Sequence, residues 1–134
     1  MAKGYDQHKE RMETLNYFGK DLARRAKSKC ELTGESNTPL VIYEVPPVPK
    51  DPDFDRCLMI SENAAAQINN PKILVPDDWR YLRELIWSEQ ELVQIMACRI
   101  LSYIAQSEPW AQSVLDDAYL DDSITDAAMA NPIA

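Results

Sequence analysis

Two stretches decide how this chain is read. Cys30-Glu31-Leu32-Thr33-Gly34-Glu35-Ser36-Asn37 leads into Pro39-Leu40-Val41-Ile42-Tyr43-Glu44-Val45, and Cys57-Leu58-Met59-Ile60 leads into Ser61-Glu62-Asn63-Ala64-Ala65-Ala66-Gln67-Ile68. The β-branched and aromatic run over 39–45 predicts a strand, because such side chains suit a pleated, half-buried surface. Pro46, Pro47, Pro49 and Pro52 follow. They remove donors and fix φ, so residues 46–55 are expected to form a stiff surface loop. Cys57 to Ile60 then reads as a second short strand that pairs back on the first. A two-stranded hairpin is marginal alone, so helices must cover it.

Before the hairpin, Met12, Leu15, Phe18, Leu22 and Ala26 recur every three or four positions among charged residues, which predicts one amphipathic helix from Tyr5 to about Lys29. Gly19 interrupts it at a cost of about 1 kcal/mol relative to alanine. After the hairpin, Ser61 is the expected N-cap of a short helix ended by Asn69-Asn70-Pro71. Asp77 or Asp78 is expected to cap a helix carrying Trp79, Leu82, Leu85 and Ile86. Ser88 and Glu91 have the spacing of a capping box ahead of the longest apolar stripe, Val93, Met96, Ala97, Ile100 and Ile104. Ser107-Glu108-Pro109 starts a further helix with Trp110, Val114, Leu115 and Ala118, and a last turn is expected over 123–129. Trp79, Trp87 and Trp110 read as core anchors.

The expected fold is therefore α+β and helix-dominated, a single domain over 1–134. Residues 1–29 form a basic amphipathic helix, 30–68 a hairpin and short helix, and 71–130 a C-terminal bundle of three to four helices. A content of 46% apolar residues is ordinary for a chain of 134 residues that buries a core. No apolar run reaches the roughly 18 residues needed to span a bilayer, and the N-terminal residues are polar and basic, so no membrane partner and a cytoplasmic location are expected. Cys30, Cys57 and Cys98 are too sparse for a secreted disulfide framework and read as reduced thiols.

The net charge of -8 is divided unevenly. Residues 1–30 hold eight Lys/Arg against four Asp/Glu, and residues 31–134 hold six against eighteen. An acidic body repels phosphate backbones, but a basic arm can still reach one. Lys20, Arg24, Arg25, Lys27 and Lys29 are the candidate contacts to a nucleic acid or protein partner; as a plain solvated face they would instead pair with acidic neighbours.

The pairs Cys30/Thr33 and Ser61/Ala64 are each three residues apart, one at the turn before the hairpin and one where the second strand meets a helix. A zinc ribbon places its two Cys-x-x-Cys pairs at these points. On Ser28-Lys29-Cys30-Glu31-Leu32, Tyr43-Glu44-Val45-Pro46-Pro47, Trp79-Arg80-Tyr81-Leu82 with Ile86-Trp87-Ser88-Glu89, Val93 to Ala97 with Arg99-Ile100-Leu101, and Trp110-Ala111-Gln112 through Tyr119-Leu120-Asp121, the chain resembles the zinc-ribbon portion of PhnA-like proteins. That family takes its name from an operon of alkylphosphonate utilisation. The resemblance covers about Arg25 to Met129. It implies that Cys30, Thr33, Ser61 and Ala64 are former zinc-ligand positions of a degenerate ribbon, with only Cys30 still a thiol and the zinc lost. Many relatives also carry a small β-domain after the helical part, and no such segment precedes Asn131-Pro132-Ile133-Ala134.

No catalytic or metal-ligating set stands out. His8 has no evident partner, Cys98 lies beside the inward stripe of the longest helix, and Asp116, Asp117, Asp121 and Asp122 suit helix ends and caps. With three glycines in the chain, a phosphate-cradling loop is not expected. Two functions follow as expectations. One is a non-catalytic macromolecular interaction module that meets an unidentified protein or nucleic acid, or a second copy of itself. The other is a protein that binds or processes small phosphonates or other organophosphorus compounds, as the family name suggests.

Overall fold

The computed structural model describes the backbone of residues 2–133 and the side chains of residues 7–133. The chain runs through α1 (Ala2–Ala26), β1 (Leu40–Glu44), β2 (Cys57–Ser61), α2 (Glu62–Asn69), α3 (Leu82–Leu85), α4 (Glu91–Ile104), α5 (Pro109–Asp117) and α6 (Asp122–Ala130), with 3-10 turns at Phe54–Arg56, Pro71–Ile73 and Pro76–Trp79. It is a helix-dominated α+β architecture with a long N-terminal helix, one two-stranded antiparallel hairpin and a C-terminal group of helices.

The hairpin pairs Leu40 with Ser61, Ile42 with Met59 and Glu44 with Cys57. Because side chains alternate along a strand, its two faces serve different cores. Cys57 and Met59 join Leu15 and Leu22 of α1 in a small cluster, with Phe18, Ile42 and Phe54 packed around it. Leu58 and Ile60 face the other way, into the large cluster that also takes Leu32, Ala64, Trp79, Ile86, Met96 and Ile100. Covered on both faces, β2 is buried at every residue.

Helix α1 stops at Ala26, three residues before the expected end. Lys27 and Ser28 adopt positive φ values of 57° and 58°, which no continuing helix permits. The Ser28 N–H donates back to the Ala23 carbonyl at 3.0 Å and closes the turn. Met12 was expected on the buried stripe but is 44% exposed. Arg11 reaches inward instead, with Nε bonded to Glu44 Oε2 at 3.0 Å and Nη groups on the Pro49 and Lys50 carbonyls at 3.0 and 2.7 Å.

Ser61 caps α2 as expected, its Oγ accepting the Ala64 N–H at 3.0 Å. The helix expected after Asp77 and Asp78 is replaced by the turn at Pro76–Trp79 and the single turn of α3. Neither aspartate caps: Asp78 accepts from Gln67 Nε2 at 2.8 Å, and Asp77 pairs with Arg80 at 3.1 Å. The capping box at Ser88 and Glu91 does not form, because α4 begins after Gln90 and the Ser88 hydroxyl accepts the Gln90 N–H at 3.1 Å. The predicted stripe of α4 is wholly buried, and Ile95, Cys98, Arg99 and Leu101 are buried with it. α4 thus sits at the centre of the helical group, against α3, α5 and α6. Of the tryptophans, Trp79 is fully buried and Trp110 half-buried, whereas Trp87 is 56% exposed and anchors no core.

Candidate functional site

The turn at Cys30–Gly34 is a tight knuckle. The Cys30 N–H donates to the Glu35 carbonyl and the Gly34 N–H to the Cys30 carbonyl, both at 2.9 Å. Gly34 has φ of +78°, a left-handed value that favours glycine, and a Cβ there would lie 3.1 Å from the Tyr81 ring. The turn is therefore pressed against an aromatic face of the α3 region.

Glu31 ties this knuckle to β2. Its N–H donates to the Met59 carbonyl at 2.8 Å, and its Oε1 accepts the Met59 N–H at 2.9 Å. Arg25 completes the arrangement, with Nε on Glu31 Oε2 at 3.1 Å and Nη2 on both Glu31 Oε1 at 2.7 Å and the Cys57 carbonyl at 2.8 Å. Its guanidinium also lies over the Phe54 ring at 5.5 Å. The outer edge of β2 is thus occupied by the Glu31 main chain and the Glu31 and Arg25 side chains where a third strand would otherwise bond.

Of the five cations read as partner contacts, Arg25 is accordingly held inside the fold. The other four are exposed around the end of α1. Arg24 has one weak partner, Asp21 at 3.7 Å, and among the described residues Lys20, Lys27 and Lys29 have no carboxylate within ion-pair distance. Lys29 also lines a groove of about 170 Å³ together with Cys30, Gly34, Tyr81, Leu85 and Gln90. The site combines exposed positive charge with an exposed aromatic edge, Tyr81 being 47% exposed. Such a combination can hold a phosphate-bearing or acidic partner but offers no nucleophile paired with a base.

The four positions that the resemblance assigns to zinc ligands are placed as follows. Cys30 is 2% exposed and shares the large cluster with Ala64. Thr33 Oγ1 accepts the Glu35 N–H at 3.4 Å, and the Ser61 hydroxyl is engaged as the cap of α2. Ala64 brings a methyl group to a position where zinc needs a donor. One thiol, two hydroxyls turned to backbone N–H groups and a methyl do not fit a tetrahedral zinc site. Among the described residues no group of three or more His, Cys, Asp or Glu stands together as a metal cluster.

The remaining candidates are dispersed. Cys30, Cys57 and Cys98 are buried free thiols. Burial, with Glu44 and Asp53 nearby, pushes the Cys57 thiol up to about 11, and burial raises Cys98 as well, so neither is an activated nucleophile. His8 is exposed, and Asp116, Asp117, Asp121 and Asp122 are exposed at the ends of α5 and α6.

Two residues escaped the sequence reading. Glu31 carries no pattern that distinguishes it from a solvated carboxylate. Arg99 does carry one, as the single charge within the apolar run Ile95 to Leu101. It is 2% exposed and caps the end of α6, with Nε on the Ala128 carbonyl at 3.0 Å and Nη2 on the Ala127 carbonyl at 2.8 Å. A cation placed there is favoured by the negative end of the helix dipole. Burial lowers its pKa from the usual value.

No family model, curated protein or solved structure matches the chain. Among the described residues no helix is long and apolar enough to cross a membrane.

Proposed function

We propose that this chain is a non-catalytic macromolecular interaction module of PhnA-like kinship, whose degenerate ribbon has exchanged zinc for packing. The observation that carries this reading is the set of exposed cations Lys20, Arg24, Lys27 and Lys29 around the end of α1, the last of them lining the Tyr81 groove, on a chain that is otherwise strongly acidic. A phosphate backbone satisfies such a cluster by releasing its counterions, and an exposed aromatic edge adds sequence-tolerant stacking. The two-core packing of the hairpin supports the loss of metal, since burial on both faces supplies the stabilisation that zinc gives a small ribbon.

The test is fluorescence anisotropy of a labelled single-stranded oligonucleotide titrated with the protein at several salt concentrations. Four phosphate contacts give a log–log salt slope of roughly -3 for a single strand. Replacing Lys20, Arg24, Lys27 and Lys29 with alanine, while leaving Arg25 intact, should flatten that slope and abolish binding. Equal binding by the quadruple variant rejects the basic face as the contact surface. Elemental analysis of protein purified without added zinc tests the metal, with a stoichiometric content overturning its loss.

A further inference from the structure

The two edges of the hairpin are treated differently. Met59 directs both its N–H and its carbonyl away from β1 and onto Glu31. With the observed register, this makes Val41–Ile60 and Tyr43–Leu58 the hydrogen-bonded pairs, continued by the Val45 N–H on the Arg56 carbonyl at 2.9 Å. The N–H and carbonyl groups of Leu40, Ile42 and Glu44 therefore point outward from β1. Among the described residues none of them has a hydrogen-bond partner, and all five residues of β1 are only partly buried. No lysine, proline or bulge interrupts Leu40 to Glu44, and the one charge on the strand, Glu44, is paired with Arg11, so this edge lacks those guards against strand addition.

A cavity of about 490 Å³ lies on the helical side of that edge, taking Tyr43 and Pro46 from the β1 side and no residue from β2. Asn69 at the end of α2, Asn131 after α6 and the buried Arg99 complete its polar lining. Among the described residues neither asparagine side chain has a hydrogen-bond partner and no carboxylate pairs with Arg99. Arg99 directs three N–H groups to the α6 carbonyls and the Met96 sulfur, which leaves two of its five unassigned.

We propose that the outer edge of β1 is a docking site for an extended peptide segment of a partner protein, added as a third strand, with an acidic side chain entering the Arg99 cavity. Main-chain bonds to Leu40, Ile42 and Glu44 supply affinity, and the cavity beside Tyr43 reads one side chain of the added strand. The charge of that side chain follows from Arg99, a buried cation whose hydrogen bonds among the described residues go only to uncharged groups. This surface is separate from the basic end of α1, so it stands or falls independently of nucleic-acid binding.

The experiment selects binders from a displayed library of random seven-residue peptides and then synthesises the enriched sequence. The expected result is Asp or Glu at one fixed position within a β-prone peptide, with amide shifts in the labelled protein concentrated at Leu40, Ile42 and Glu44. Changing that peptide residue to its amide should weaken binding roughly tenfold or more. Methylating the peptide nitrogens that face β1 should abolish it, and neither change depends on a protein variant that folds. No enriched peptide, binding indifferent to both changes, or concentration-dependent shifts of the same amides without peptide, which mark a second copy on the edge, would each overturn the proposal.

Discussion

Arg25 and Glu31 form a two-pronged ion pair whose carboxylate also accepts the Met59 N–H, so one side chain from the knuckle and one from α1 together close the outer edge of β2. The Glu31 side chain is 5% exposed and that of Arg25 is 28% exposed. The pair therefore works at the boundary of the core, where desolvation is nearly complete for the anion and partial for the cation.

Glu31→Ala is expected to destabilise the protein by about 2–3 kcal/mol, because it leaves the Met59 N–H and the Arg25 guanidinium without their acceptor. Urea unfolding measures this. Glu31→Gln, which keeps one acceptor oxygen, should cost less, and a loss below about 0.5 kcal/mol for the alanine variant would remove Glu31 from the account of the fold.

Gly19→Ala should stabilise the protein by about 0.5–1 kcal/mol. Gly19 lies inside α1, and a Cβ there would meet Ile42 Cδ1 at 3.8 Å, an ordinary contact. Nothing in the packing requires the glycine. A lower thermal midpoint for the variant would mean that α1 must sit closer to the hairpin than this distance.

The raised Cys57 thiol gives the protein a signed dependence on alkaline pH. The folded state holds its proton up to about 11, whereas the unfolded thiol releases it near the ordinary value of 9.0. The contribution is fully present below the lower value and is lost as pH rises through the upper one, by at most about 1.4 kcal/mol per pH unit. Urea midpoints across that window should fall faster for the parent than for Cys57→Ala. Parallel curves would refute the burial-driven shift.

The indoles of Trp79 and Trp110 should respond differently to replacement by phenylalanine. Trp79 Nε1 donates to Gln67 Oε1 at 2.7 Å, whereas Trp110 Nε1 is buried with no hydrogen-bond partner among the described residues. Trp79→Phe strands part of the Gln67 network and is expected to cost about 2–3 kcal/mol. Trp110→Phe removes an unsatisfied donor and keeps a ring beneath Arg80, which lies 4.5 Å above the indole, so its cost should stay below about 1 kcal/mol. Equal losses in thermal melts would argue against this assignment of the two donors.

What the sequence disclosed was mostly periodic. The stripe of α4, the two strands, the Ser61 cap and the proline-rich connection are each written in residues close together in the chain, where spacing is informative. The knuckle positions were legible for the same reason. What escaped was decided by tertiary partners. Trp87 looks as apolar as Trp79 but lies outside the packed group, and Ser88 bonded to a nearer N–H than the capping box requires. The sealing of β2 depends on Glu31 meeting Met59, residues far apart in sequence, and no local pattern announces such a meeting. Arg99 was visible as an isolated charge in an apolar run, but its carbonyl partners belong to a helix that starts more than twenty residues later.

The strand that serves two cores also limits how this chain can change over evolutionary time. Sliding β2 by one residue would exchange the cargo of its faces, sending Leu58 and Ile60 toward α1 and Cys57 and Met59 into the helical group. Insertions are therefore affordable in the proline-rich connection and ruinous within Cys57 to Ser61. Any descendant that keeps this fold should vary freely in loop length there while holding those five positions in phase.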